Sequence, residues 1–127
     1  MKLKYTILYV ENVSATLNFY EQSFGLQTKM LHESGDYGEL DTGETTLAFS
    51  SLKLISDLGK NPIEADPSTP VFEIAFETQD VQKWLDQAIK SGAVLVQNIR
   101  EEPWGQTTSY VSDPNGFLIE ICSPVKQ

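Results

Sequence analysis

The chain has one cysteine and one histidine among its 127 residues. A lone cysteine, Cys122, excludes an intrachain disulfide framework and a cysteine-rich metal site. The single imidazole, His32, reads as an exposed or edge-strand residue. Apolar runs are short, none approaching the ~20 residues that span a bilayer. The N-terminal "MKLKYTILYV" lacks the long apolar stretch and small-residue cleavage site of a secretory signal, so a cytoplasmic location is expected. Positive charge is also scarce: 9 Lys and Arg stand against 18 Asp and Glu, a formal net charge of −9. Such a surface repels nucleic acid and anionic membrane, which excludes both as partners. It suits a cationic ligand, and it is equally an ordinary solubility feature.

What is present is an order of elements that occurs twice. Residues 3–10 alternate and are β-rich, which predicts a strand. Val13, Leu17, Tyr20 and Phe24 then recur at helical spacing, and Gly25 stands where a helix ends. Strands are expected near 27–33, 37–41 and 45–50, giving a first module over 1–55. The stretch 56–70, rich in Pro, Gly, Asp and Ser, reads as a linker. In 71–127 the order returns: the strand "VFEIAFET", a helix capped by Asp80 and Gly92 with Trp84 in its core face, and strands near 94–98, 107–112 and 117–122. "YTILYVENV" aligns with "EIAFETQDV", and "DTGETTLAFSS" with "DPNGFLIEICS", which argues for an internal duplication. The fold class is α+β: two β-α-β-β-β modules forming a cupped, mostly antiparallel sheet with helices outside, the pair making one domain over 1–127. Half-chains of about 60 residues bury little core alone, so the modules are expected to share one.

In "SDPNGFLIEI" a turn leads into an apolar strand that carries one acid, Glu120. Pro114 suits the second position of a type I turn, and Gly116 the positive φ that follows. Strand side chains alternate between faces, so Ile119 and Ile121 go under the helices with Phe117, and Glu120 and Cys122 go to the opposite face. The same parity puts Phe72, Ile74 and Phe76 inward and Glu73, Ala75 and Glu77 outward. It places Tyr5, Ile7 and Tyr9 on the concave face, together with Thr46, Ala48 and Ser50. The repeat makes Tyr5 equivalent to Glu73, and Ala48 to Glu120. Glu120 by itself reads as a solvent-facing residue, a metal ligand or part of a pocket.

The motifs "YTILYVENV", "FYEQSFGL", "FEIAFETQDV" and "WGQTTSYVSDPNGFLIEI" resemble the vicinal oxygen chelate superfamily, which holds glyoxalase I, bleomycin-resistance proteins and extradiol dioxygenases. The resemblance covers nearly the whole chain, and its ending "D-P-N-G-x-x-x-E" is the most specific part. It implies four equivalent ligand positions for a divalent metal (Zn²⁺, Ni²⁺, Mn²⁺ or Fe²⁺). Glu73 and Glu120 match two of these positions with ligand-capable side chains, whereas Tyr5 and Ala48 stand at the other two. Catalytic metal sites normally use three protein ligands or more, so no resident cofactor is expected.

Two readings follow. In the first, the chain is a small-molecule-binding protein of the bleomycin-resistance type that holds a cationic or aromatic ligand in an acidic concavity lined by Tyr5, Tyr9, Ala48, Glu73, Trp104 and Glu120. In the second, it is a metal-dependent glyoxalase-like lyase or isomerase, or a dioxygenase, using Glu73 and Glu120, with Glu120 the best catalytic candidate. The resemblance also implies a homodimer.

Overall fold

A computed structural model describes residues 1–126. The chain divides into two compact units, Met1–Glu64 and Ala65–Gln127. The first contains β1 (Tyr5–Val10), α1 (Val13–Phe24), β2 (Thr28–Leu31), β3 (Tyr37–Leu40), β4 (Thr46–Ser51) and α2 (Leu52–Asp57). The second contains β5 (Glu73–Glu77), α3 (Val81–Lys90), β6 (Val94–Glu102), β7 (Gln106–Ser112) and β8 (Leu118–Cys122).

Each unit has one four-stranded mixed sheet, ordered β1-β4-β3-β2 in the first and β5-β8-β7-β6 in the second. The first strand of each pairs in parallel with the last, and the other two pairings are antiparallel. The long return that a parallel pair requires is supplied by the helix and the intervening strands.

The helices start and stop for identifiable reasons. The Asn12 side chain accepts from the Ala15 amide at 2.9 Å to cap α1, whose end is Gly25 at φ 68°. Asp80 caps α3 by accepting from the Lys83 amide at 3.1 Å. The C-cap of α3 is Ser91 rather than Gly92, which follows at φ 115° and takes the left-handed turn out of the helix. Residues 56 and 57, expected in the linker, instead close α2, which Ser51 caps by accepting from the Leu54 amide at 3.0 Å. The strand expected near 94–98 continues to Glu102.

In the first unit Leu8, Val10, Leu17 of α1, Leu40 and Phe49 are buried, with the Tyr20 and Phe49 rings 5.1 Å apart. Gly38 gives α1 its close approach, since a Cβ there would stand 2.7 Å from Leu17 Cδ1. In the second unit Val81, Leu85 and Ala88 of α3 bury against Val111, Ile119 and Ile121. Burying each such aliphatic side chain contributes roughly 1.5–3 kcal/mol before chain entropy is counted. Trp84 is not core: it is half-buried, with Lys83 Nζ 4.9 Å from its ring centroid. Phe72 precedes β5, remains 46% exposed, and meets the Phe117 ring edge-on at 6.0 Å.

Candidate functional site

The alternation expected for β5 and β8 is realised, and it puts Glu73 and Glu77 on the face of the second sheet opposite α3, with Glu120 half-buried on the same face. Register sets their neighbours. Glu120 stands opposite Ala75 on one side and Tyr110 on the other. The small Ala75 leaves room for Glu73, one pleat along β5, to approach. Tyr110 Oη donates to Glu120 Oε2 at 2.8 Å and lies 3.4 Å from Glu73 Oε2. One phenol thus connects the two acids. Its single proton goes to Glu120 at the better distance, so Glu73 keeps acceptor capacity. Burial, then the hydrogen bond and charge of Glu120, then Glu73, push the Tyr110 phenol well above its ordinary range. It therefore acts as a fixed donor.

Around this cluster the same face is polar and anionic. Thr108 donates to Glu102 Oε1 at 3.1 Å, and Arg100 pairs with that carboxylate. Among the described residues no lysine or arginine pairs with Glu73 or Glu120. Trp104 sits in the turn between β6 and β7, 55% exposed, and its Nε1 donates to Gln106 Oε1 at 2.7 Å. That bond ties the indole to β7, four residues before Tyr110. The Cys122 thiol is buried, and its pKa is pushed up to about 11 by burial and the nearby Glu120 charge, so it is no nucleophile at neutral pH.

The first sheet carries the other expected residues. Tyr5, Ile7 and Tyr9 are 45%, 43% and 36% exposed on the face opposite α1, whereas Ala48 is fully buried between its neighbours. Ala48 pairs with Ile7 on β1 and with Glu39 on β3. Glu39 Oε2 accepts from Tyr37 Oη at 2.8 Å. Burial, then Glu39, then Tyr5 raise the Tyr37 phenol far above its usual range. The duplicated positions thus differ in kind. Opposite the last strand the second unit places a phenol, Tyr110, and the first unit places the acid itself, Glu39. Tyr110, Tyr37 and Glu39 lie outside the four matched positions. The signal that carries them is the period-two parity of 106–112 and 37–40, joined to strand register.

Chemically, the second unit offers two carboxylates and a proton-bearing phenol. Among the described residues no three His, Cys, Asp or Glu side chains gather as a metal-holding group. His32, exposed beside β2, is tied instead to Ser34, with Nδ1 to Oγ 2.8 Å. Two carboxylates whose shared neighbour is a protonated phenol fall short of the three ligands a catalytic transition-metal site normally needs. The side chains gathered on this face do not fit such a metal.

Comparison with known proteins agrees with this architecture. Residues 3–126 match the glyoxalase-like domain family. The chain belongs to it. Within the glyoxalase-like family it is similar to YraH of Bacillus subtilis strain 168, a protein without an assigned role, at 26% identity over 95% of this chain and 97% of that one. It is similar to a probable lactoylglutathione lyase of Vibrio parahaemolyticus at 28% identity, covering 94% of this chain and 88% of that one. A glyoxalase/bleomycin resistance protein/dioxygenase family enzyme of Burkholderia phytofirmans superposes with a TM-score of 0.79 at 22% identity, over 97% of this chain and 98% of the other, which establishes the shared fold. This glyoxalase-like chain accordingly falls in the vicinal oxygen chelate superfamily. Among the described residues no helix is long and apolar enough to cross a membrane.

Proposed function

We propose that this glyoxalase-like protein is a small-molecule-binding protein that takes an organic cation with N–H donors on the acidic face of its second unit. The observation that carries this reading is the Glu73–Tyr110–Glu120 cluster. There, one phenol proton orients Glu120, and Glu73 retains acceptor capacity, with no lysine or arginine among the described residues paired to it. A protonated amine or amidine supplies the two donors and the charge that this arrangement lacks. The exposed Trp104 indole, tied to β7, adds an aromatic surface toward one end of the same face.

The test is calorimetric titration with benzamidinium and with uncharged benzamide. Benzamidinium is expected to bind and benzamide not to. Glu120→Gln is expected to weaken benzamidinium roughly tenfold or more, the scale of one charge-assisted hydrogen bond. Equal binding of the two probes, or indifference to Glu120→Gln, would sink the reading.

A second reading, catalysis of the lactoylglutathione lyase type, draws on the name of the Vibrio relative. It requires ligands beyond Glu73 and Glu120. A melting temperature raised by Ni²⁺, Zn²⁺, Mn²⁺ or Fe²⁺, and no longer raised in Glu120→Gln, would favour it over the binding protein.

A further inference from the structure

Five asparagines occur in the chain, and Asn115 alone is followed by glycine. A backbone amide nitrogen can attack the side chain of a preceding asparagine, and the side chain next to that nitrogen hinders the attack. Glycine has none, so Asn115–Gly116 is the pair in this sequence most open to deamidation. The fold holds the pair in the turn between β7 and β8 under three restraints. The Gly116 amide donates to Asp113 O at 3.0 Å, so the nitrogen that must act as nucleophile keeps its proton. The Asp113 carboxylate, 3% exposed, accepts from the Asn115 and Phe117 amides at 2.9 Å each, and its charge opposes a second negative charge on the nitrogen between them. Residues 65–67 cover the turn: a Cβ on Gly116 would stand 2.7 Å from Ala65 O and 3.1 Å from Pro67 Cδ. Rotation of Gly116 toward the Asn115 side chain has to displace that segment.

We infer that Asn115 is a deamidation site closed by the native turn and opened by local unfolding of 113–117. In the open turn the Gly116 nitrogen loses its proton to solvent base and attacks Asn115 Cγ. The new N–Cγ bond forms, the bond from Cγ to the side-chain nitrogen breaks, and that nitrogen takes up a proton and leaves as ammonia. Water then adds to either carbonyl of the resulting cyclic imide, and the ring opens to aspartate or to isoaspartate. One water is consumed, one ammonia is released, and the chain gains one negative charge with no change of oxidation state. Isoaspartate also adds one carbon to the backbone, inside the loop that the Asp113 N–Phe117 O bond closes at 2.9 Å. That loop sets the register of β7 against β8, in which Tyr110 stands opposite Glu120. The site goes beyond the reading above: it ties an irreversible chemical change to the acidic face, whichever ligand that face takes.

The experiment keeps the full chain in mildly alkaline buffer, with and without denaturing guanidinium, and follows position 115 by peptide mass spectrometry. Conversion is expected at Asn115 in both, and roughly tenfold or more slower in the native chain, because only the open fraction reacts. Asp113→Ala, with folding verified by its thermal melt, is expected to convert several-fold faster than the unmodified native chain. Hydrogen exchange of the Gly116 amide measures the opening without any substitution, and it is expected to be slowed in the same proportion. Separated by charge, the isoaspartate form is expected to melt below Asn115→Asp, which carries the same charge on an unaltered backbone. Equal conversion in buffer and denaturant, conversion spread over the other asparagines, or an unprotected Gly116 amide would overturn the inference. So would an isoaspartate form as stable as Asn115→Asp.

Discussion

Tyr110 and Glu120 show how one hydroxyl can set the behaviour of an acid. The phenol donates at 2.8 Å in a half-buried place, and a hydrogen bond to a charged group there contributes about 1.5–3 kcal/mol at most. Tyr110→Phe should therefore lower unfolding stability by about 1–2 kcal/mol, measured by urea denaturation. A change below a few tenths would mean that the bond is not maintained in solution. The same burial gives a signed pH dependence. Cys122 ionises near 9.0 when free and is pushed up to about 11 in the folded chain. The native state thus holds this proton where the unfolded state has lost it. That stability is fully present below about pH 9 and is lost as pH rises through about 11. Tyr110 and Tyr37, both raised above 10.0, extend the loss to higher pH. Melting temperatures should accordingly fall from about pH 9 upward, with a shallower fall in Cys122→Ala. Cys122 should also resist a thiol reagent at about pH 8 until denaturant is added.

At the scale of elements, the turn after β7 ties backbone geometry to the acidic face. Asp113 is 3% exposed, and its side chain accepts from the Asn115 and Phe117 amides at 2.9 Å each. The Gly116 amide closes the turn on Asp113 O at 3.0 Å, with Pro114 in the second position. Gly116 has φ 95°, and a Cβ there would stand 2.7 Å from Ala65 O. Gly116→Ala should cost more than the ~1 kcal/mol of an unfavourable φ alone, with a midpoint loss of about 2–3 kcal/mol in chemical denaturation. Asp80→Ala, which only uncaps α3, should cost about 1 kcal/mol by the same measurement.

Much of this level was legible in the sequence. Period two placed Glu73 and Glu120 on one face, and Asp80 and Gly25 announced their caps. The six-residue α2 escaped because its sequence is too short to show helical periodicity and its cap, Ser51, doubles as the last residue of β4. Tyr110 and Glu39 escaped for another reason. Which residue faces which across two strands depends on register, and register rests on turns and bulges that alternation alone does not reveal.

For the whole molecule we propose a homodimer. Val94, Leu95 and Val96 leave an apolar run on an outer strand, 64%, 45% and 52% exposed, which a second copy would cover. Sedimentation equilibrium should return twice the mass of one chain, and Val96→Lys should halve it. A single-chain mass for the unmodified protein at micromolar concentration would rule the dimer out.

The outer strands carry a further consequence. β6 shifts register against β7 between Leu95 and Gln97 and again between Gln97 and Arg100, and β2 shifts against β3 between Thr28 and Met30. A bulged strand bends and interrupts its row of free amides and carbonyls, so it is a poor template for another strand. Fibril growth needs a straight, repeating edge. The bulges interrupt one margin of each sheet, so the exposed valines of β6 can be sticky without being seeds.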